Sequence, residues 1–389
     1  EYNGLSHLYE HMFFKSNRAI ANQEEYLKTV GQLGITYNGS TTTEYVNYYY
    51  TTTAQNLRVT LNLMRDALLY PLFDERELVR EKDVVIGEID RNESNPFFYL
   101  SNEMNDRLFY KYPSRKNPLG NRQTVTSATS EMMRTIQQRY YVPNNSALIV
   151  AGDVDPEQVF RFAAELFGDW PRGEDPFVKY PLVEHPPVEK SAASIIKQRV
   201  QNVIITIGWQ GPSIGKDDQG SYAADVFSYI LRQPNSRFQR ALVDTGLVTA
   251  ADVSYLTQKN VGPIRVIAQT TPEKAREAVR AIYSEIARFN EKNYYTDEQL
   301  ESAKALLEAE DLYFREKMSE YTHTISFWWA STGVDYLRGY HANLRRTSRA
   351  DISRYVSGYI QGKPHIAIAL LSEEAQQKAQ LTAEELLGS

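Results

Sequence analysis

No cysteine occurs in the 389 residues. Disulfides and thiolate metal sites are therefore excluded, and any metal this chain binds must be held by nitrogen and oxygen ligands. An oxidising compartment fits that absence without being required by it. No apolar run approaches the ~20 residues that a helix needs to cross a bilayer, so no membrane span is expected. Positive charge is not in excess: 43 Lys and Arg stand against 49 Asp and Glu, a net charge of -6. With no basic stripe interleaved with aromatics, nucleic acid is not an expected partner. No signal-peptide pattern opens the sequence. Histidine is scarce, at six residues. What remains is an ordinary globular composition in a chain long enough for two domains with their own cores.

Two of the six histidines lie within five residues of each other, in Gly4-Leu-Ser-His-Leu-Tyr-Glu-His-Met-Phe-Phe14. On a helix, positions i and i+4 share a face one turn apart. His7 and His11 can therefore aim at one point, with Glu10 projecting from the adjoining part of the same turn. Two convergent imidazoles are two of the three protein ligands of a catalytic zinc, whose third ligand is often a carboxylate and whose fourth position stays open to water. A nearby Glu that is not a ligand can take the proton from that water. The order is H-x-x-E-H, the reverse of the zincin motif. The bland alternative is a partly buried helix whose histidines are hydrogen-bonded and bind nothing.

A third ligand has to come from elsewhere, and the best candidate is Glu88. It lies in a segment that reads as a helix, with Asp74 as N-cap, Glu77 as its capping-box partner and Leu78, Val85 and Ile89 along an apolar stripe. Glu81 and Glu88 are seven residues apart and share a face. One can bind metal while the other supports a His or the water. Without the His pair, both would read as solvated helix carboxylates.

These residues resemble the inverzincin peptidases, the group that includes pitrilysin, insulin-degrading enzyme and the mitochondrial processing peptidase. That family carries the reversed motif followed by a ligand Glu at the spacing that here separates His11 from Glu88, 77 residues. Its additional acidic residue falls on Glu81. The resemblance implies His7, His11 and Glu88 as Zn²⁺ ligands, Glu10 as general base and Glu81 as an auxiliary catalytic residue. It also implies a substrate contact at Asn38, where the family has an Asn-Ala pair ahead of a strand. Gly39 replaces the Ala. Extended substrate would pair with that strand edge through main-chain bonds. The strings Asn117-Pro-Leu-Gly120, Tyr141-Val-Pro-Asn-Asn145 and Ala151-Gly-Asp-Val-Asp-Pro156 resemble the same family's first domain.

Read in order, residues 22–31 suggest a helix. Residues 34–39 suggest a strand and turn, and residues 41–53, rich in β-branched and aromatic types, a strand. Helices are expected at 56–69, 97–110, 127–140 (Ser130 a possible cap) and 155–167, with a short buried strand at 147–152. Five prolines punctuate residues 170–190, which favours extended chain. The second half repeats the outline: strands at 203–209, 261–270 and 365–371, and helices at 221–231, 272–289, 296–318 and 348–361. A long helix, an acidic cap and another long helix recur in the same order, which suggests an internal duplication. His185, His323, His341 and His365 stand alone, so only the first half has metal ligands. The expected fold is α+β: two homologous domains, each a mainly antiparallel sheet with helices packed on one face. The zinc domain would span 1–180, the linker 181–190 and the second domain 191–389. Family members place a strand or two ahead of the motif helix, so an N-terminal piece, with any targeting signal, is expected to be missing. The compartment stays open: periplasm in a bacterium, mitochondrial matrix in a eukaryote.

Self-sufficient family members carry an Arg and a Tyr in the second half that reach the substrate and the developing oxyanion. Aligned on Gly246-Leu247, those positions here hold Leu242 and Thr249. Leu has no polar group and Thr is too short to replace a phenol. Arg240 lies two residues away and replaces the Arg only if the register slips. The resemblance therefore implies a zinc endopeptidase acting on peptide or unfolded polypeptide in a closed chamber. It would be the metal-bearing subunit of a heterodimer or heterotetramer, whose related partner, lacking the zinc motif, supplies Arg and Tyr. The rival expectation is a non-catalytic core subunit of a larger complex.

Overall fold

The computed structural model describes residues 2–388. In chain order its helices and strands begin with α1 (Leu5–Phe13), α2 (Gln23–Gln32), β1 (Thr36–Thr41) and β2 (Val46–Thr51). Then come α3 (Leu57–Leu69), α4 (Glu75–Glu93), α5 (Pro96–Leu108), α6 (Arg122–Thr126), α7 (Ser130–Tyr140), α8 (Pro156–Phe167) and the short α9 (Pro176–Lys179). The second half holds β3 (Ala192–Lys197), β4 (Val203–Gln210), α10 (Asp218–Arg232), the single-turn α11 (Arg237–Gln239), β5 (Ala250–Tyr255) and β6 (Pro263–Thr270). It closes with α12 (Ala275–Arg288), α13 (Asp297–Glu316), α14 (Met318–Ser331), α15 (Val334–Arg346), α16 (Arg349–Tyr359), β7 (Ile366–Leu371) and α17 (Glu373–Ala379). No described helix is long and apolar enough to cross a membrane.

The chain is α+β and divides into two compact units that are not contiguous in sequence. The first takes residues 1–92, 114–183 and 316–330; the second takes 93–113, 184–315 and 331–389. The break near 183 falls in the proline-rich stretch. Two segments lie outside the simple division at 181–190: α5 packs with the second unit, and most of α14 with the first.

In the first unit β1 and β2 form an antiparallel pair, with Gly39 opposite Tyr48 and Thr41 opposite Val46. The turn between them lies at residues 42–45, a few residues after the expected one at 39, because Thr42 closes it. Its N–H bonds the Tyr45 carbonyl, and its hydroxyl accepts from the Glu44 and Tyr45 amides. The core of this unit joins Leu5, Leu8, Tyr9 and Met12 of α1 to Leu78, Val85 and Ile89 of α4 and to Met133 and Ile136 of α7. The expected strand at 147–152 forms no ladder. Ala147 and Leu148 are exposed there, and no strand among the described residues pairs with the segment.

In the second unit five strands run in the order β3-β7-β4-β6-β5, antiparallel except for the β3–β7 pair. Alternation along the strands divides the apolar side chains between two faces. Ile205, Ile207, Val266 and Ala268 share a core with α10, α12 and α16, while Ile204, Ile368 and Leu370 pack with Leu100, Met104 and Leu108 of α5. Gly208 leaves room for α5 at the second face: a Cβ there would come 2.5 Å from Met104 Sδ, and the Met side chain would have to shift.

Helix starts show why local chemistry fixes these elements. The expected reciprocal cap at Asp74 is only half present: Asp74 Oδ1 accepts from the Arg76 and Glu77 amides, but Glu77 does not return the bond. The full exchange occurs at the matching start in the repeat, where Thr296 and Gln299 bond each other's backbone at 3.0 and 3.1 Å. Thr129, not Ser130, caps α7; Ser130 instead donates to the Phe73 carbonyl.

Candidate metal centre

α1 buries Leu5, Leu8, Tyr9, Met12 and Phe13 along one stripe, which turns His7 and His11 towards α4. Its entry is set by a crossing of two glycines, both at positive φ. A Cβ on Gly4 would lie 2.6 Å from Gly120 Cα, so neither backbone tolerates a side chain at this approach. α4 is fastened against the end of α1 by Glu77. One of its oxygens accepts from the Ser16 amide at 2.9 Å and the Ser16 hydroxyl at 2.5 Å, and the other accepts from the Gln23 amide at 2.7 Å. The expected capping partner thus serves as a clamp that sets the register of α4. With that register fixed, Glu81 and Glu88, two turns apart, both reach the His pair.

His7 Nε2 lies 3.5 Å from Glu88 Oε2, and His11 Nε2 lies 3.7 Å from the same oxygen. The two rings stand edge to face with centroids 4.8 Å apart. The ligand atoms of the three residues all fall within 4.8 Å of one another. Zinc bonds of about 2.0–2.1 Å in a tetrahedron separate ligand atoms by roughly 3.4 Å, so the two His–Glu88 distances fit such an ion and small side-chain rotations bring in the remaining pair. The donor set, two imidazoles and a carboxylate, suits zinc with one position left open. Burial, with the neighbouring His11, holds the His7 pKa below its ordinary value despite Glu88. A neutral imidazole is the form that binds metal.

Around these three, Glu81 is buried and uses both oxygens. Oε1 lies 3.4 Å from His11 Nδ1, and Oε2 lies 2.5 Å from Lys15 Nζ, itself buried. Burial pushes the Glu81 pKa up, but His11 and the Lys15 ammonium outweigh it and hold the carboxyl below its usual range. A carboxylate on the far nitrogen of a metal-facing imidazole fixes its tautomer and raises its basicity. His7 lacks the equivalent: its buried Nδ1 has no hydrogen-bond partner.

Glu10 lies on the β1 side of the helix and is buried. Its Oε2 accepts from the Thr41 hydroxyl at 2.5 Å. Burial raises its pKa, and the Thr41 bond opposes the rise. An aromatic layer packs between α1 and β2. Tyr48 stacks on Phe13 at 3.8 Å and shares a 2.5 Å hydroxyl contact with Tyr141, which stacks on Tyr9 at 4.2 Å.

Gly39 stands directly against Glu10: a Cβ there would come 2.6 Å from Glu10 Cγ. Its amide donates to the Asn38 side-chain oxygen at 2.9 Å. A peptide adding to β1 through that amide would displace the Asn38 contact. In the second unit, Leu242 is fully buried and Thr249 is tied by its amide and hydroxyl to the Gln269 carbonyl. Arg240 is exposed.

Two residues escaped the sequence reading. Lys15 follows His11 at i+4, a signal present in the spacing, although it lies two residues past the end of α1. Thr41 carried no signal, because its contact with Glu10 depends on how β1 packs.

Comparison with known proteins adds independent findings. A family model described as "Insulinase (Peptidase family M16)" matches residues 1–121, and one described as "Peptidase M16 inactive domain" matches residues 127–307. An uncharacterized zinc protease of Rickettsia felis is 25% identical over 86% of this chain and 79% of its own length. The crystal structure of a protease from Helicobacter pylori superposes with a TM-score of 0.84 at 22% identity, over 94% of this chain and 89% of that one. The periplasmic protease PqqL from Escherichia coli gives 0.76 at 15% identity. The match covers 99% of this chain but 45% of PqqL, so PqqL is about twice the matched length.

Proposed function

Because this chain belongs to the M16 (insulinase) family of peptidases, we propose that it is a zinc-dependent endopeptidase that hydrolyses peptides or unfolded segments. The observation that carries the reading is the approach of His7 and His11 to one oxygen of Glu88. His7, His11 and Glu88 would hold the ion. Bound there, zinc would supply a Lewis acid that polarises the scissile carbonyl and lowers the pKa of water towards about 7. Glu10 takes the proton of the attacking water and later delivers it to the leaving amine. Glu81, backed by Lys15, keeps His11 oriented. The edge of β1 at Asn38 and Gly39 receives the peptide as an added strand, which holds the scissile bond in register with Glu10.

At the positions where self-sufficient relatives carry Arg and Tyr, this chain has Leu242 and Thr249, which cannot replace them. The same proposal therefore includes a related partner subunit without the zinc motif, which contributes Arg and Tyr to an enclosed chamber as a heterodimer or heterotetramer. The relation to PqqL, in which a chain of this length matches about half, supports a two-part arrangement. The periplasm is the compartment this relation favours.

The test is cleavage of a quenched, unstructured peptide by the zinc-loaded chain, alone and with such a partner. Activity abolished by chelation and by Glu10→Gln supports the proposal. A chain that binds no zinc and cleaves nothing with its partner supports the second reading, a non-catalytic core subunit, which the absent Arg and Tyr favour.

A further inference from the structure

The surroundings of Glu10 divide its two oxygens between separate tasks. Gly39 and Thr41 are two apart on β1, so they present to the same face of the pair, and both meet Glu10. The Thr41 hydroxyl donates to Oε2 at 2.5 Å. The missing Cβ of Gly39 leaves the space that the rest of the carboxylate fills: an added methyl would lie 2.6 Å from Cγ, 2.7 Å from Oε1 and 2.9 Å from Cδ. Opposite them, Tyr48 pairs with Gly39 and is pinned by Phe13 and Tyr141, so this part of the strand pair cannot drift from α1.

A glutamate side chain has three rotatable bonds, and on a helix surface it would sample several rotamers. One hydrogen bond to a β-branched residue, whose own χ1 is stiff, selects one of them. We infer that Thr41 and Gly39 form a seat on β1 that positions Glu10: Thr41 anchors Oε2, and the bare backbone of Gly39 admits the carboxylate, leaving Oε1 to exchange the proton. Thr41 would act on the reaction through Glu10, so it is a positioning residue. The inference deepens the peptidase reading and rests on it for its kinetic part, although the seat itself is a statement about where the side chain lies.

The experiment has two arms on the full zinc-loaded chain with its partner. In the kinetic arm, Thr41→Val removes the donor at constant shape. It should lower kcat between about 10- and 100-fold, as a displaced reacting group does, with KM and zinc content unchanged, and Thr41→Ser should restore kcat. In the structural arm, crystals of Thr41→Val and Gly39→Ala should show the Glu10 carboxylate withdrawn from β1, released in the first and pushed in the second. An unchanged kcat in Thr41→Val, failure of Ser to rescue, or a carboxylate still against β1 in both variants overturns the seat. If the parent chain cleaves no peptide, the peptidase reading falls, and the crystallographic positions still decide the seat on their own.

Discussion

The Lys15 ammonium lies 2.5 Å from Glu81 Oε2, with both side chains buried. The remaining oxygen of Glu81 faces His11 Nδ1, so the charge of Lys15 acts on a proposed zinc ligand through one carboxylate.

Removing one partner of a buried pair leaves an uncompensated charge, at a cost of about 3–5 kcal/mol. Lys15→Met should therefore lower thermal stability. It should also weaken zinc binding by about 10- to 100-fold, the usual effect of losing a residue that orients a ligand. Competition with a zinc chelator reads the affinity directly, and an unchanged affinity would remove Lys15 from the account.

Glu10→Gln keeps the shape and the Thr41 contact but cannot take a proton. Turnover should fall at least ~10²–10⁴-fold, the contribution of a positioned acid–base group, while zinc content stays that of the parent. Loss of zinc with activity would mean that Glu10 is itself a ligand.

The motif helices were legible because their determinants are local. Apolar spacing marked α1 and α4, and within them His7 and His11 stand one helical turn apart and Glu81 and Glu88 two turns apart. Tertiary competition hid the rest. Glu77 had the spacing of a capping partner, yet Ser16 and Gln23 offer it three donors from another element. Residues 147–152 had the composition of a strand but no ladder neighbour. β3 and β5, both sheet edges, were not foreseen because edge strands bear weak alternation: five of the six residues of β3 are half-buried. α14 was missed because its aromatics do not gather into one buried stripe. Its His323 and Phe327 instead meet Asn47, Tyr49 and Tyr45 in the first unit.

The proposed partner also makes a quantitative claim. Adding a partner chain that carries Arg and Tyr should raise kcat by about 10²–10³, the effect of one such donor. Thr249→Tyr alone should leave the fold intact, since the position is exposed, whereas Leu242→Arg should destabilise the second unit because Leu242 is fully buried. Full activity of the isolated chain would dispose of the partner.

Asp225, on α10, accepts from the Tyr340 hydroxyl at 2.7 Å, and burial raises its pKa to about 7. Unfolded, the carboxyl releases its proton near 3.9. Between those values the folded state holds a proton that the unfolded state has lost, so stability from this group is complete at low pH and declines as pH rises towards 7. Asp225→Asn should thus raise Tm relative to the parent more at pH 8 than at pH 5. Calorimetry at both values checks it, and an equal difference at each would contradict the assignment.

The most direct measurement is X-ray absorption at the zinc edge on the reconstituted chain, with metal content determined in parallel for Glu88→Gln. The account predicts one zinc per chain bound by two imidazole nitrogens and light oxygen ligands, with affinity sharply reduced in the variant. A chain that takes up no zinc, or one whose zinc environment and affinity are the same without the Glu88 carboxylate, would contradict it.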